Sequence, residues 1–209
     1  TFTDRDLSLA GRVCYIDEQD NLAHKRVRFD QPLVRLPNLA IHMNRGVNDE
    51  GLKLHKQNEL PLLFAQLTEE QLPQPYFLAL LEQAAGIDAE RLLSWDLAVY
   101  DTQKGTFWGA NDEFYANSQL DNLASCHAGL QALLDDTVLN NTESTLVCAF
   151  FDHEEVGSES HVGAAGSFLT DILQRISMAM SSEREDFARA LARSFLISAD
   201  MAHAYQPNF

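Results

Sequence analysis

The first half of the chain alternates short apolar stretches with turn-forming residues. The apolar stretches are Ala10 to Ile16, Leu36 to Met43 and Leu97 to Tyr100, and only Gln74 to Glu90 has the spacing of a helix. Five of the six prolines lie in this half: Pro32, Pro37, Pro61, Pro73 and Pro75. This pattern predicts a strand-rich unit over residues 1–105.

From about residue 106 the pattern changes to alternating helices and strands. Three segments carry apolar residues at helical spacing: 120–134, 162–176 and 184–193. Two apolar runs predict buried strands of an α/β sheet: 145–151 and the shorter 195–198. Residues 106–209 are therefore predicted to form part of an α/β domain.

Acidic residues occupy equivalent places in this α/β pattern. Asp121 lies at the entry to the first helix, Glu154 and Glu155 follow the first strand, and Asp200 follows the last. Ligands of open α/β sheets bind beyond the carboxyl ends of the strands, so these side chains are expected to gather at one edge. Carboxylates gathered in this way repel one another unless protons or cations neutralise them. A pair of divalent metal ions would satisfy the group, with one glutamate left to accept a proton from water.

The residues alone leave other interpretations open. A Glu-Glu pair after a strand is commonly a solvated loop, and an aspartate at a helix start is commonly a cap. His203, three residues after Asp200, could orient that carboxylate or fill a hydrogen-bonded core position. His153, directly before the glutamates, could support them or face solvent.

Composition narrows the function classes. The formal charge of −16 argues against nucleic-acid binding, which needs clustered Lys and Arg. Three cysteines without a CxxC spacing favour a reducing compartment, and hence the cytoplasm. No run of 18 apolar residues encodes a membrane span. The start at Thr1, without Met or a leader, predicts an internal fragment of a longer protein.

Several ordered motifs together resemble the aspartyl aminopeptidase family of zinc peptidases. They are TFTDRDLSLAGRV at 1–13, LPNLAIHMNR at 36–45, DLAVYDTQ at 96–103, EFYANSQLDNLASC at 113–126, DHEEVGSES at 152–160 and SADMAHAYQPNF at 198–209. The resemblance implies an α/β catalytic domain, an α/β/α sandwich with a mixed sheet, to which residues 106–209 contribute. Residues 1–105 would form most of a β-rich dimerisation domain inserted into it.

The resemblance also implies roles for individual residues. Asp121 would bridge two metal ions, Glu155 and Asp200 would each complete the ligands of one ion, and Glu154 would be the general base. His42, in the Ala-Ile-His motif, would reach a neighbouring subunit's active site and steady the tetrahedral intermediate. A cis peptide bond is implied between Asp121 and Asn122. Zinc is the expected metal, with cobalt and manganese as alternatives.

The implied parent enzyme is a dodecamer built from dimers that removes N-terminal Asp or Glu from peptides. The family's two histidine metal ligands and most of its specificity pocket have no counterpart within residues 1–209, so the fragment alone is expected to be inactive. Gln119 and Gln206 depart from the family's usual Arg and His. Two rival hypotheses are kept: a non-catalytic assembly or dimerisation module, and a related two-metal aminopeptidase of different specificity.

Overall fold

The computed structural model describes residues 3–180 and 183–209, so Thr1 and Phe2 of the first motif lie outside the described residues. The chain separates into two compact units, Thr1–Ser118 and Gln119–Phe209. The division follows Ser118, whereas the apolar pattern placed the change in texture near residue 105. The difference is the segment 106–118, whose short strands belong to the first unit.

The first unit is built on a three-stranded antiparallel sheet. Its strands are β1 (Leu7–Ile16), β2 (Leu22–Arg28) and β3 (Leu92–Asp101), in the order β2-β1-β3. In the β1–β2 turn, Asp17 Oδ1 accepts the backbone N–H groups of Gln19 at 2.8 Å and Asn21 at 2.9 Å. The bond from Asn21 is the main reason that the pKa of Asp17 lies below its usual value. The strands that the sequence predicted at 10–16 and 97–100 are confirmed, and both are longer than predicted.

A helix covers one face of this sheet. After the one-turn helix α1 (Val47–Glu50), α2 (Pro73–Ala85) begins with a proline in its first turn and ends at Gly86, which adopts the left-handed conformation. Leu81 and Ala85 of α2 are buried with Val13 and Val27 of the sheet. Lys25 Nζ donates a hydrogen bond to the backbone O of Ala85 at 2.6 Å, which caps the helix end.

The rest of the first unit consists of short elements. The strands β4 (Thr106–Trp108) and β5 (Phe114–Ala116) form a two-stranded antiparallel hairpin. The apolar stretch 36–43, which the sequence assigned to the strand-rich pattern, forms no strand: Leu36 makes an isolated bridge and Ile41–Met43 is a 3-10 helix. The connection after β2 returns to the sheet, because the N–H of Leu33 and of Val34 both donate to Leu7 O.

The described part of the second unit contains four helices. They are α3 (Leu120–Leu133), α4 (Asp136–Asn141), α5 (Phe168–Met180) and α6 (Arg184–Arg193). α3 and α6 match the predicted helices closely, whereas α5 begins six positions later than the apolar spacing suggested. The difference arises because residues 162–166 turn back on the preceding loop: the Ala165 N–H donates to Ser158 O at 3.1 Å.

The two predicted buried strands of this unit are wrong as secondary structure within the described residues. Residues 145–151 and 195–198 form no strand, and Phe195, Leu196 and Ile197 are 90%, 80% and 78% exposed. A run that is apolar on both faces reports a tendency to be buried, but a strand exists only when a neighbouring strand supplies hydrogen bonds. The described residues after 118 supply no such neighbour, so the α/β/α sandwich stays a prediction.

Close packing of β1 against β3 gives a testable requirement at Gly11. A Cβ at this position would overlap the carbonyl oxygen of Asp96 and lie 2.9 Å from the Cα of Leu97. Both are backbone atoms that cannot rotate away, so we expect Gly11→Ala to lower the free energy of unfolding by about 3 kcal/mol, at the upper end for overpacking. Urea unfolding of the chain measures this.

The matched control is Gly46→Ala, because a Cβ at Gly46 meets only the Glu50 side chain, at 3.4 Å, and its φ is −77°. Equal stabilities for the two variants would contradict the close approach of β1 and β3.

Among the described residues, no helix combines the length and apolar character needed to cross a membrane.

Candidate metal centre

The first candidate ligand, Asp121, sits at an irregular helix start. The peptide bond between Asp121 and Asn122 is cis, as the resemblance implied, and both residues have non-helical dihedral angles. The preceding Gln119 has a φ of +61°, in the left-handed region. One turn into α3, the thiol of Cys126 donates to Asn122 Oδ1 at 3.4 Å. The carboxylate is therefore held by a backbone that departs from the helix that follows it.

The two adjacent glutamates lie in a compact turn. The Gly157 N–H donates to Glu154 O and the Ser158 N–H donates to His153 O, both at 2.9 Å. These two bonds have the pattern of a Schellman motif, with Gly157 at the position that favours positive φ. Its φ is +102°. Glu154 and Glu155 are both exposed within the turn.

Asp200 and His203 lie near the end of the described chain. Asp200 Oδ1 accepts the backbone N–H of Met201 at 2.7 Å, which orients one of its oxygens. His203 is exposed, so the hydrogen-bonded core position that the sequence left open for it is wrong.

Three separate segments interact electrostatically at Asp121. Desolvation raises the pKa of Asp121 above its usual value, a hydrogen bond with Asp200 raises it further, and so do the negative charges of Asp200 and Glu155. The charge of His203 acts in the opposite direction. Because Asp121 as a whole is exposed, the approach of the other carboxylates is the more informative cause. The structure thus brings Asp121, Glu155 and Asp200 within electrostatic reach of one another.

The side chains that meet at Asp121 are of the types that bind metal ions, but their arrangement does not form a complete metal site. Carboxylate oxygens and an imidazole are ordinary zinc ligands, and a cation would relieve the repulsion that raises the pKa of Asp121. Within residues 3–180 and 183–209, however, no three His, Cys, Asp or Glu side chains are arranged to hold an ion by themselves. The roles assigned to Asp121, Glu155 and Asp200 therefore stay predictions.

The remaining predicted residue, His42, belongs to the first unit. It is exposed and forms the middle of the 3-10 helix Ile41–Met43. A wide groove of about 600 Å³ also lies in the first unit, between residues 32–35 and 63–66. Its charged groups, Asp6 and Arg35, form an ion pair with each other.

Sequence reasoning gave no role to one polar residue beside the glutamates. The hydroxyl of Ser160 lies 2.7 Å from Nδ1 of His153, across the neck of the turn that carries Glu154 and Glu155. The only available signal was the serine itself within the motif DHEEVGSES, which does not reveal a partner seven residues earlier.

A protein-family model and several curated relatives match the chain over nearly its whole length. The model of the family described as aminopeptidase I zinc metalloprotease (M18) matches residues 1–209. The chain is 45% identical to the probable M18 family aminopeptidase 2 of Stutzerimonas stutzeri over 210 residues, covering 99% of the chain and 46% of the relative. It is 40% identical to that of Clostridium acetobutylicum, covering 100% of the chain and 47% of the relative. The chain spans about half the length of the curated relatives it matches.

Solved structures give a similar result. The fold resembles a chain in the cryo-EM structure of the Ape4 and Nbr1 complex, with a TM-score of 0.89, 35% identity, and coverage of 99% of this chain and 43% of that chain. It also resembles the S. cerevisiae mApe1 dodecamer, with a TM-score of 0.78, 27% identity, and coverage of 99% and 46%.

Proposed function

Since this chain belongs to the M18 family of zinc aminopeptidases, we propose that the complete protein is a metal-dependent aminopeptidase that removes single residues from the N-termini of peptides. The observation that carries the proposal is the convergence of Asp121, Glu155 and Asp200, whose interactions raise the pKa of Asp121. Three carboxylates drawn from distant segments are costly to hold together unless protons or a cation neutralise them, and a bound cation would do so without protonation. The family description names that cation as zinc.

We propose that Asp121, Glu155 and Asp200 hold two zinc ions together with histidines contributed from outside residues 1–209. Zinc bound there would polarise the scissile carbonyl as a Lewis acid and lower the pKa of water. Glu154 accepts a proton from the attacking water and returns it to the nitrogen of the leaving peptide. Of the two adjacent glutamates, Glu155 contributes to the raised pKa of Asp121. This supports a division of labour in which Glu155 binds metal and Glu154 moves the proton.

The proposed architecture follows the same family context. Residues 106–209 would contribute to an α/β/α catalytic domain and residues 1–105 to most of an inserted dimerisation domain. The similarity to the S. cerevisiae mApe1 dodecamer supports a homo-oligomer. The role of His42 in a neighbouring subunit's site is proposed from the Ala-Ile-His motif alone. The free thiols of Cys14, Cys126 and Cys148 support a cytoplasmic location.

The substrate class is proposed from the motifs that resemble aspartyl aminopeptidases. We expect the complete, zinc-loaded protein to hydrolyse Asp- and Glu-chromophore substrates faster than Ala, Leu or Lys analogues, and a chelator to abolish the activity. Restoration by zinc, and by cobalt or manganese in parallel samples, tests the metal.

Each outcome of this assay distinguishes one hypothesis. Hydrolysis with another residue preference would support a related two-metal aminopeptidase of different specificity. A correctly assembled, zinc-loaded protein that cleaves no member of the panel would contradict the peptidase proposal and favour the assembly module.

A further inference from the structure

The loop that carries both glutamates is closed by its own contacts. At its base, the rings of Phe151 and Phe168 pack edge to face with their centroids 6.5 Å apart. Within the loop, the Asp152 N–H donates to Val162 O at 3.1 Å. Gly163 lies so close to the backbone of Ser158 that a Cβ would overlap it. The segment 152–166 is therefore folded onto itself rather than extended.

One side-chain contact joins the residues on either side of the turn that contains Glu154 and Glu155. His153 precedes Glu154, and Ser160 follows the turn; His153 Nδ1 and Ser160 Oγ are 2.7 Å apart. The backbone of His153 is fixed as well, because its N–H donates to Asp152 Oδ1 at 2.8 Å and its carbonyl accepts from Ser158. Its φ is +60°, a conformation in which His and Asn are enriched but Ala is disfavoured.

From this geometry we infer that His153 and Ser160 form a positioning pair, which sets the direction of Glu154 for proton transfer. The inference rests on the proposed function for the role of Glu154. The hydrogen bond ties His153 to the residue that follows the turn, so losing it leaves the peptide that leads into Glu154 held by the two backbone hydrogen bonds of His153 alone. Catalytic carboxylates must stay close to the productive geometry, which depends on the residues that support them.

The test uses the complete, zinc-loaded enzyme and four variants. His153→Gly removes the imidazole but tolerates the positive φ, so it separates the side chain from backbone strain. His153→Asn tolerates the same φ and places an amide near the position of Nδ1. Ser160→Ala removes the other partner, and a double variant joins His153→Gly with Ser160→Ala.

We expect His153→Gly and Ser160→Ala each to lower kcat about tenfold to a hundredfold, as for other supporting partners of metal sites, while KM and bound zinc stay near the parent values. His153→Asn should recover most of the lost kcat. The kcat of the double variant should be no lower than that of the single variant with the lower kcat, because both changes remove the same hydrogen bond.

Hydrogen exchange of the peptide 152–166 in the metal-free enzyme provides a readout that does not depend on turnover. We expect faster exchange in His153→Gly and Ser160→Ala, and near-parent exchange in His153→Asn. Parent-like kcat in both single variants, additive losses in the double variant, or failure of His153→Asn to recover kcat would overturn the inference. An inactive parent enzyme would instead count against the proposed peptidase, and parent-like exchange in both single variants would then independently reject the pair.

Discussion

Glu154→Gln in the complete enzyme should retain its zinc and lose most of its turnover. Glutamine keeps the size of the side chain and can still hydrogen bond, but it cannot accept a proton from the attacking water. General acid–base groups contribute roughly 10²- to 10⁴-fold to catalysis, so we expect kcat to fall by that factor. Steady-state kinetics on an Asp-chromophore substrate, with zinc measured in the same samples by elemental analysis, provides the test.

The control for this variant lies on the same loop. Glu159 is also exposed and is separated from Glu154 by the turn that ends at Gly157. Glu159→Gln makes the same chemical change at a position without a proposed proton, so its kcat should match that of the parent enzyme. A zinc-loaded Glu154→Gln enzyme with undiminished turnover would remove Glu154 from the mechanism.

A different result is expected for Asp121→Asn, which should lose zinc as well as activity. The carboxylate of Asp121 faces two other negative groups, Asp200 and Glu155, and is the proposed link between the two ions. An amide carries no charge and is a much poorer ligand for a divalent ion. We expect bound zinc to fall from about two ions per chain, the number that the two-metal mechanism requires, to less than one. Turnover should fall by at least roughly 10³-fold, beyond the loss of one proton-transfer group.

Asp136→Asn serves as the matched control, since Asp136 is an exposed aspartate of the same unit in the first turn of α4. Its zinc content and turnover should equal those of the parent. If Asp121→Asn bound zinc as the parent does, the carboxylates that meet at Asp121 would have to serve a purpose other than metal binding.

Local periodicity was sufficient to predict several elements of the fold. The helix α6 has the predicted bounds, and α2 (Pro73–Ala85) begins one residue before the predicted helix 74–90 and ends five residues short of it, since a helix is determined largely by neighbouring residues in the chain. The strand β1 contains the predicted stretch 10–16 and forms because β2 and β3 lie beside it. The segments 145–151 and 195–198 were predicted wrongly for the opposite reason. A strand depends on distant partners, and the apolar run contains no information about them.

The candidate site divides in the same way. The positions of Asp121, Glu155 and Asp200 relative to predicted elements led to the expectation that they approach one another, and the raised pKa of Asp121 agrees with it. Their roles came from the resemblance of long motifs. The contact between His153 and Ser160 was not predictable, because it depends on the positive φ of His153 and on the turn that follows.

The hydrogen bond from Lys25 to the last turn of α2 bears on how this family could diversify. It joins residues that are 60 positions apart, and Leu81 is fully buried against the same sheet. Helix and sheet are therefore in direct contact, and of the intervening chain Phe64 also packs against α2, on Tyr76 and Phe77. Insertions or deletions in the exposed stretch 51–61 would change the surface of the protein while its scaffold stayed intact.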